Sequence, residues 1–248
     1  AVIITFKEGI NMRKIASLIE ENTNHKKEEV FNLLKDQNYL NELINTYWFL
    51  TDDIKNPSIY YSLEGYLYPD TYIFEDKNVD VKTIFEKMLD KMDAVLTPYK
   101  DEIKKSDYSV HEILSLASVV ELEAKNEEDR AGVADVFINR LNKNMALQSD
   151  VTTYYALKID MSERDLTANE LATQNPYNTR STTMNGKIPV GPICMVSESS
   201  IKAVLEHDDT DNLFFVADKN GKVYFSKTNT EHEKKIKELK DSGLWFTY

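Results

Sequence analysis

With 248 residues and 42% hydrophobic side chains, the chain can form one large domain or two smaller ones with a substantial core. Asp and Glu number 42 against 30 Lys and Arg, a net charge of −12 with no basic cluster. That balance argues against a nucleic-acid partner, which requires clustered cations, and against lying flat on an anionic membrane.

Cys194 is the single cysteine, so no internal disulfide can form. His25, His111, His207 and His232 are scattered, without HxxxH or CxxC spacing, which predicts no metal centre; no cofactor is expected either. No apolar run reaches the length needed to span a bilayer. The first residue is Ala1 and the chain starts directly in a strand-like run, so it reads as an excised fragment whose signal or anchor would lie upstream.

AVIITF (1–6) is β-branched and aromatic, a short strand. Asn11 caps a helix burying Ile15, Leu18 and Ile19, and a second helix opens over Lys26 to Leu34. This strand–helix–helix unit needs a closing strand or a neighbour to cover its faces. Leu40 to Leu50 continues helically into the cluster Tyr47, Trp48, Phe49. SLEGYLYPDTYIF (62–74) is an aromatic-rich segment, and Pro69 excludes a central strand position there. Tyr rings beside the acid Glu64 suit sugar, whose apolar faces stack while its hydroxyls need acceptors; an ordinary aromatic core corner has the same composition.

Val81 to Leu96 is an amphipathic helix ended by Pro98, and Tyr99 to Asp107 a charged connector. Two helical patterns follow, Val110 to Ala124 and Glu127 to Leu141. The first carries ELE at its end. Glu121 falls roughly 60° from the centre of the apolar stripe, and Glu123 roughly 100° from it. An acid at the border of a buried face loses hydration, which raises its pKa toward what a general acid needs. The alternative is a salt-bridged structural acid, with Arg130 or Lys125 as partner.

Gln148-Ser149-Asp150 offers hydrogen-bonding groups after the second helix, or caps a helix over Thr152 to Leu157. Short helical turns are expected within Met161 to Ala172. NPYNT (175–179) and IPVGPI (188–193) are turn-forming, and Ser197 caps a helix to Leu205. NLFFVAD, Asn220-Gly221 and KVYF form the strongest hairpin signal, before a charged helix over Thr228 to Leu239. The sum is an α+β chain with a small N-terminal subdomain (1–60) and a helix-rich α+β domain (61–248).

Five segments together resemble the YceG-like family, the endolytic murein transglycosylases: LEGYLYPDTY (63–72), ASVVELEA with DRAGVADVFINRL (117–141), LQSD (147–150), NPYNT with IPVGPI (175–193), and LFFVAD with the later EH (213–218, 231–232). The resemblance implies a LysM-like N-terminal subdomain and a transglycosylase catalytic domain. It implies a cell-membrane enzyme with a single-pass anchor, its catalytic part on the extracytoplasmic face. The substrate would be nascent peptidoglycan glycan strands, cleaved between MurNAc and GlcNAc to leave a 1,6-anhydro end, with cell-wall synthesis proteins as partners. On the resemblance, the catalytic glutamate falls on Glu121. Gln148, Ser149, Asp150, Tyr177, Asn178 and Thr179 would bind sugar, and Glu64 and Tyr68 would buttress the cleft. Val151, Val190 and Met195-Val196-Ser197 depart from the family pattern. Two other readings share these features: a non-catalytic peptidoglycan-binding scaffold module, and a glycoside hydrolase that uses water.

Overall fold

The computed structural model describes residues 1–245. Strand β1 (Val2–Thr5) forms where AVIITF predicts it and pairs antiparallel with β2 (Thr71–Phe74), Val2 opposite Phe74 and Thr5 opposite Thr71. β2 is thus the closing strand that the N-terminal unit requires, and it starts just after Pro69, where the missing N–H no longer matters. Between the strands lie α1 (Met12–Asn22), α2 (Lys27–Leu33) and α3 (Gln37–Thr46). Asn11 caps α1, its side chain accepting from the Lys14 amide at 3.2 Å. α3 ends earlier than its apolar pattern, because Tyr47 is extended at its C-terminus and Trp48-Phe49 turn, which leaves Tyr47 and Phe49 both buried.

After β2 come α4 (Val81–Leu96), α5 (Lys100–Lys105) and α6 (Val110–Glu123). The stretch expected as a charged connector is helical at α5, with acids in its first turn and lysines in its last, both favourable to the helix dipole. α7 (Glu127–Asn142), α8 (Asp150–Leu157), α9 (Ala168–Leu171) and α10 (Glu198–Leu205) follow. The hairpin is β3 (Phe214–Ala217) with β4 (Val223–Ser226), turning at Asn220-Gly221, where Gly221 has φ +86°. Helix α11 (Asn229–Asp241) closes, capped by Thr228. Helices with two small antiparallel sheets make the fold α+β. No helix among the described residues is long and apolar enough to cross a membrane.

Two compact units result, Ala1–Ser118 with Gly191–Glu198, and Val119–Val190 with Ser199–Tyr248. The expected boundary at residue 60 falls inside the first. In that unit, Ile4, Phe6, Met12, Ile15 and Ile19 build a core with Ile84, Phe85 and Met88 of α4, all buried. The 191–198 segment belongs there through backbone bonds: Gly9 donates to the Met195 carbonyl, and Met195 donates to Ile10. Gly65 is required in the same unit, since it has φ +84° and an added Cβ would lie 2.1 Å from Pro192 Cβ.

In the second unit, the core is the inner face of α7 against the hairpin. Phe137 meets Phe215 edge-to-face at 5.6 Å. Arg140 donates to the carbonyls of Leu213 (2.6 Å) and Ala146 (2.9 Å) and lies over the Phe214 ring, tying two segments to one helix.

Candidate active site

The two acids of ELE have different fates. Glu121 is paired: its side chain is 5% exposed, and Oε2 lies 3.1 Å from Arg130 Nη2, itself 9% exposed. Ser200 donates a second bond to Glu121 Oε1 at 2.8 Å. Arg130 also donates through Nε to the Ala124 carbonyl at 3.1 Å, so it ties the end of α6 to the first turn of α7. This is the salt-bridged alternative, with Arg130 as the partner.

Glu123, farther round the helix, lines a cavity of about 240 Å³ in the second unit. Ser149 Oγ donates to Glu123 Oε1 at 2.5 Å. Ser149 is the N-cap residue of α8, yet its side chain makes no cap bond; its hydroxyl serves the acid instead. Asp150, in the first turn of α8, also lines the cavity and pairs with Arg180 Nε at 2.6 Å. Lys125 and His232 complete the polar lining, with Leu122, Phe215, Val216, Ala217, Ile236 and Trp245 as apolar wall and Gly221 at one side. Trp245 is 37% exposed, a ring available for stacking.

The loops around Ser149 are held by a buried hydroxyl network. Thr179 Oγ1 accepts from the Ser149 amide at 2.9 Å and meets Thr152 Oγ1 at 2.7 Å. Asn178 Oδ1 accepts from Thr153 Oγ1 at 2.6 Å, and its amide donates to the Leu171 and Thr173 carbonyls. Tyr177 packs edge-to-face on Tyr155 at 4.8 Å. Tyr177, Asn178 and Thr179 are all fully buried, so they hold the segment from beneath. Gln148 is exposed and has φ +54°, a left-handed backbone rare for a side-chain-bearing residue. Such strain clusters at functional sites.

Glu64 and Tyr68 lie in the first unit. Glu64 is 1% exposed, and its Oε1 accepts from the Met12 amide at 3.0 Å, a carboxylate at the N-terminus of α1 where the helix dipole favours it. Tyr68 is half-buried, its hydroxyl accepts from the Glu198 amide at 3.3 Å, and burial raises its phenol pKa.

Ser149 and Asp150 are therefore the expected residues brought together at the cavity. Its carboxylate Glu123, and Arg180, Lys125, His232 and Trp245, escaped assignment. The available signals were the second acid of ELE and the EH dipeptide at 231–232.

His232 Nδ1 is buried and has no hydrogen-bond partner among the described residues, and the ring stacks on Phe214 at 5.2 Å. Burial pushes its pKa below 6.5, a shift that Glu233 opposes and that Arg140 and Arg180 reinforce. A histidine with a depressed folded-state pKa adds nothing to pH dependence while both states are neutral. It costs stability as pH falls below about 6.5, where the unfolded chain takes up the proton first. A proton NMR titration is expected to give a His232 midpoint under 6.5; one at or above that value would contradict the assignment.

The model of the YceG-like family matches residues 1–238. The endolytic murein transglycosylase of Bacillus subtilis (strain 168) is 39% identical over 232 residues, 93% of this chain and 63% of that protein. The endolytic murein transglycosylase of Streptococcus pneumoniae (strain D39) is 32% identical over 252 aligned residues, 97% of this chain and 45% of that protein. The chain thus spans about half to two-thirds of the curated relatives it matches. The crystal structure of a YceG-like protein from Listeria monocytogenes superposes with a TM-score of 0.87 at 38% identity, covering 94% of this chain and 76% of that one.

Proposed function

The chain belongs to the YceG-like family, and from that premise we propose that it is the catalytic part of an endolytic peptidoglycan lytic transglycosylase. The cut lies between MurNAc and GlcNAc in nascent glycan strands, on the extracytoplasmic face of a membrane to which a single-pass segment anchors the protein. The N-terminal β–α–α–α–β unit serves as a LysM-like glycan-holding module, and cell-wall synthesis proteins are its partners. The observation that carries the catalytic reading is a carboxylate, Glu123, lining a cavity beside Ser149 and Asp150.

The chemistry needs one carboxyl and no water. The protonated acid donates to the glycosidic oxygen as the bond from MurNAc C1 breaks, through an oxocarbenium-like state. The departing GlcNAc keeps the proton as its 4-hydroxyl. The C6 hydroxyl of the same MurNAc then adds to C1 and returns its proton to the carboxylate. The acid ends as it began, and the product has a 1,6-anhydro ring.

The family resemblance implies Glu121 as this acid. Access supports Glu123, because a group that hands a proton to a polymer must reach it, and the Glu121 carboxyl lies inside a buried ion pair. In this reading Ser149 orients the acid. Asp150, exposed Gln148 and Trp245 meet sugar. Buried Tyr177, Asn178 and Thr179 contribute by fixing the segment that carries Ser149. Glu64 and Tyr68 act by holding the first unit's aromatic segment.

The test is digestion of isolated peptidoglycan by the complete protein with mass analysis of the new ends. Anhydro-muramyl ends are expected. Ends heavier by one water would indicate a hydrolase, and glycan binding without new ends a scaffold module.

A further inference from the structure

One cation at the cavity retains hydrogen-bonding capacity. Arg180 donates its backbone amide to Asn178 Oδ1 (3.0 Å) and its Nε to Asp150 Oδ1 (2.6 Å). Its two Nη groups make no hydrogen bond among the described residues, and the side chain is 37% exposed. The bond from the backbone amide to buried Asn178 fixes the residue's main chain, and the Nε bond to Asp150 holds the guanidinium before any ligand arrives. A pre-positioned guanidinium presents a planar fork matched to a carboxylate, which a sugar hydroxyl cannot fill.

The charge balance of the cavity points the same way. Glu123 and Asp150 line it, and the chain as a whole carries −12. A neutral sugar needs no compensating cation there. Muramic acid differs from its neighbour in the strand by a lactyl ether that ends in a carboxyl, free or extended by a peptide stem bearing carboxylates. With Glu123 protonated, as the acid step requires, Asp150 is the one charged acid among the lining residues, so an arriving carboxylate meets the cations Arg180 and Lys125 against a single resident anion. Arg180 and Lys125 are the lining cations, and Phe215, Ile236 and Trp245 are among the apolar walls. The Arg180 charge is felt at His232 and at Arg140, whose pKa is lowered to about 10 by burial and then by Arg180.

We propose that Arg180 recognises a carboxylate on the muramyl residue, so that the cavity tells muramyl from glucosaminyl units and sets which glycosidic bond meets Glu123. The proposal rests on the transglycosylase reading for its substrate. Arg180 is a specificity residue here, with the Nη fork facing the ligand and the Nε edge kept by Asp150.

The test is binding, read by calorimetry on the complete protein, so that it needs no cleavage. Three GlcNAc–MurNAc disaccharides, which contain no MurNAc–GlcNAc bond to cut, are compared: one with a free lactyl carboxylate, one with a lactyl carboxamide, and one with a peptide stem bearing free carboxylates. For wild type, at least one acidic ligand is expected to bind about tenfold or more tighter than the carboxamide, the scale of a charge-assisted pair. Arg180→Gln removes that preference while leaving carboxamide affinity within about twofold, and Arg180→Lys, which retains charge without the fork, restores part of it. Preference for the stem-free acid identifies the lactyl carboxylate as the ligand; preference only for the stem-bearing one identifies the peptide.

Equal weakening toward all three ligands in Arg180→Gln would overturn the proposal, since that is the signature of a residue that merely braces Asp150. A wild type that does not distinguish acid from carboxamide, or binds none of the three, overturns it as well. Absence of anhydro ends in the digestion would sink the transglycosylase reading alone, because the acid-versus-carboxamide comparison is read without turnover.

Discussion

Glu123→Gln is expected to lower the release of anhydro-muramyl ends by on the order of 10²–10⁴-fold, the usual contribution of a positioned general acid–base. The substitution keeps the shape of the side chain and an oxygen able to accept from Ser149 Oγ, so the fold and glycan binding are expected to persist. Glu121→Gln is expected to do something different. It leaves Arg130, 9% exposed, without its charged partner, and breaking a buried pair from one side costs about 3–5 kcal/mol. The assay is therefore paired: thermal unfolding and product yield for both variants, at a temperature where each is folded. If folded Glu121→Gln is inactive while Glu123→Gln cleaves normally, the acid is Glu121, and the access argument for Glu123 is refuted.

Arg130→Met is the second large effect, expected in stability. It removes the cation beside the Glu121 carboxylate in a buried site, leaving the Ser200 bond, and removes the Nε bond to the Ala124 carbonyl, so a loss of about 3–5 kcal/mol is expected. The double variant Glu121→Leu/Arg130→Met removes both charges and substitutes apolar volume. Replacing a whole buried pair in this way is often neutral or stabilising, so the double variant is expected to recover most of the loss. Chemical denaturation of the two single variants and the double variant measures the coupling. The double variant also bears on catalysis: with the pair gone but Glu123 and Ser149 in place, cleavage is expected to continue. Recovered stability with no cleavage would mean that Glu121 takes part in the reaction itself.

The ion pair also explains why sequence reasoning favoured one acid over the other. Helical geometry puts Glu121 nearer the apolar stripe than Glu123, a position that suits either an acid of raised pKa or a salt-bridged structural acid, and the family resemblance puts the catalytic glutamate on Glu121. In the folded chain, the acid closer to the stripe is buried and meets Arg130, nine residues on in the next helix. The acid farther round reaches the cavity. Burial along a helix is periodic and can be read locally, but whether a buried acid is paired or faces open space depends on what packs against it.

Local grammar accounts for most elements. Alternating and 3.6-residue hydrophobic periods, the Asn11 cap and Asn-Gly in the hairpin act within a few residues, and each appears in the structure near its predicted place. Composition and patterning by themselves determined an α+β chain, and five short segments identified its family. Only tertiary structure decided that β1 pairs with a strand nearly seventy residues away, that 191–198 joins the first unit, and that Ser149, at a capping position, turns its hydroxyl to Glu123. The physical reason is range. Capping and periodicity are energies between near neighbours, whereas the cavity is made of side chains from α6, α8, the hairpin and α11, whose meeting is settled by the burial of the whole unit.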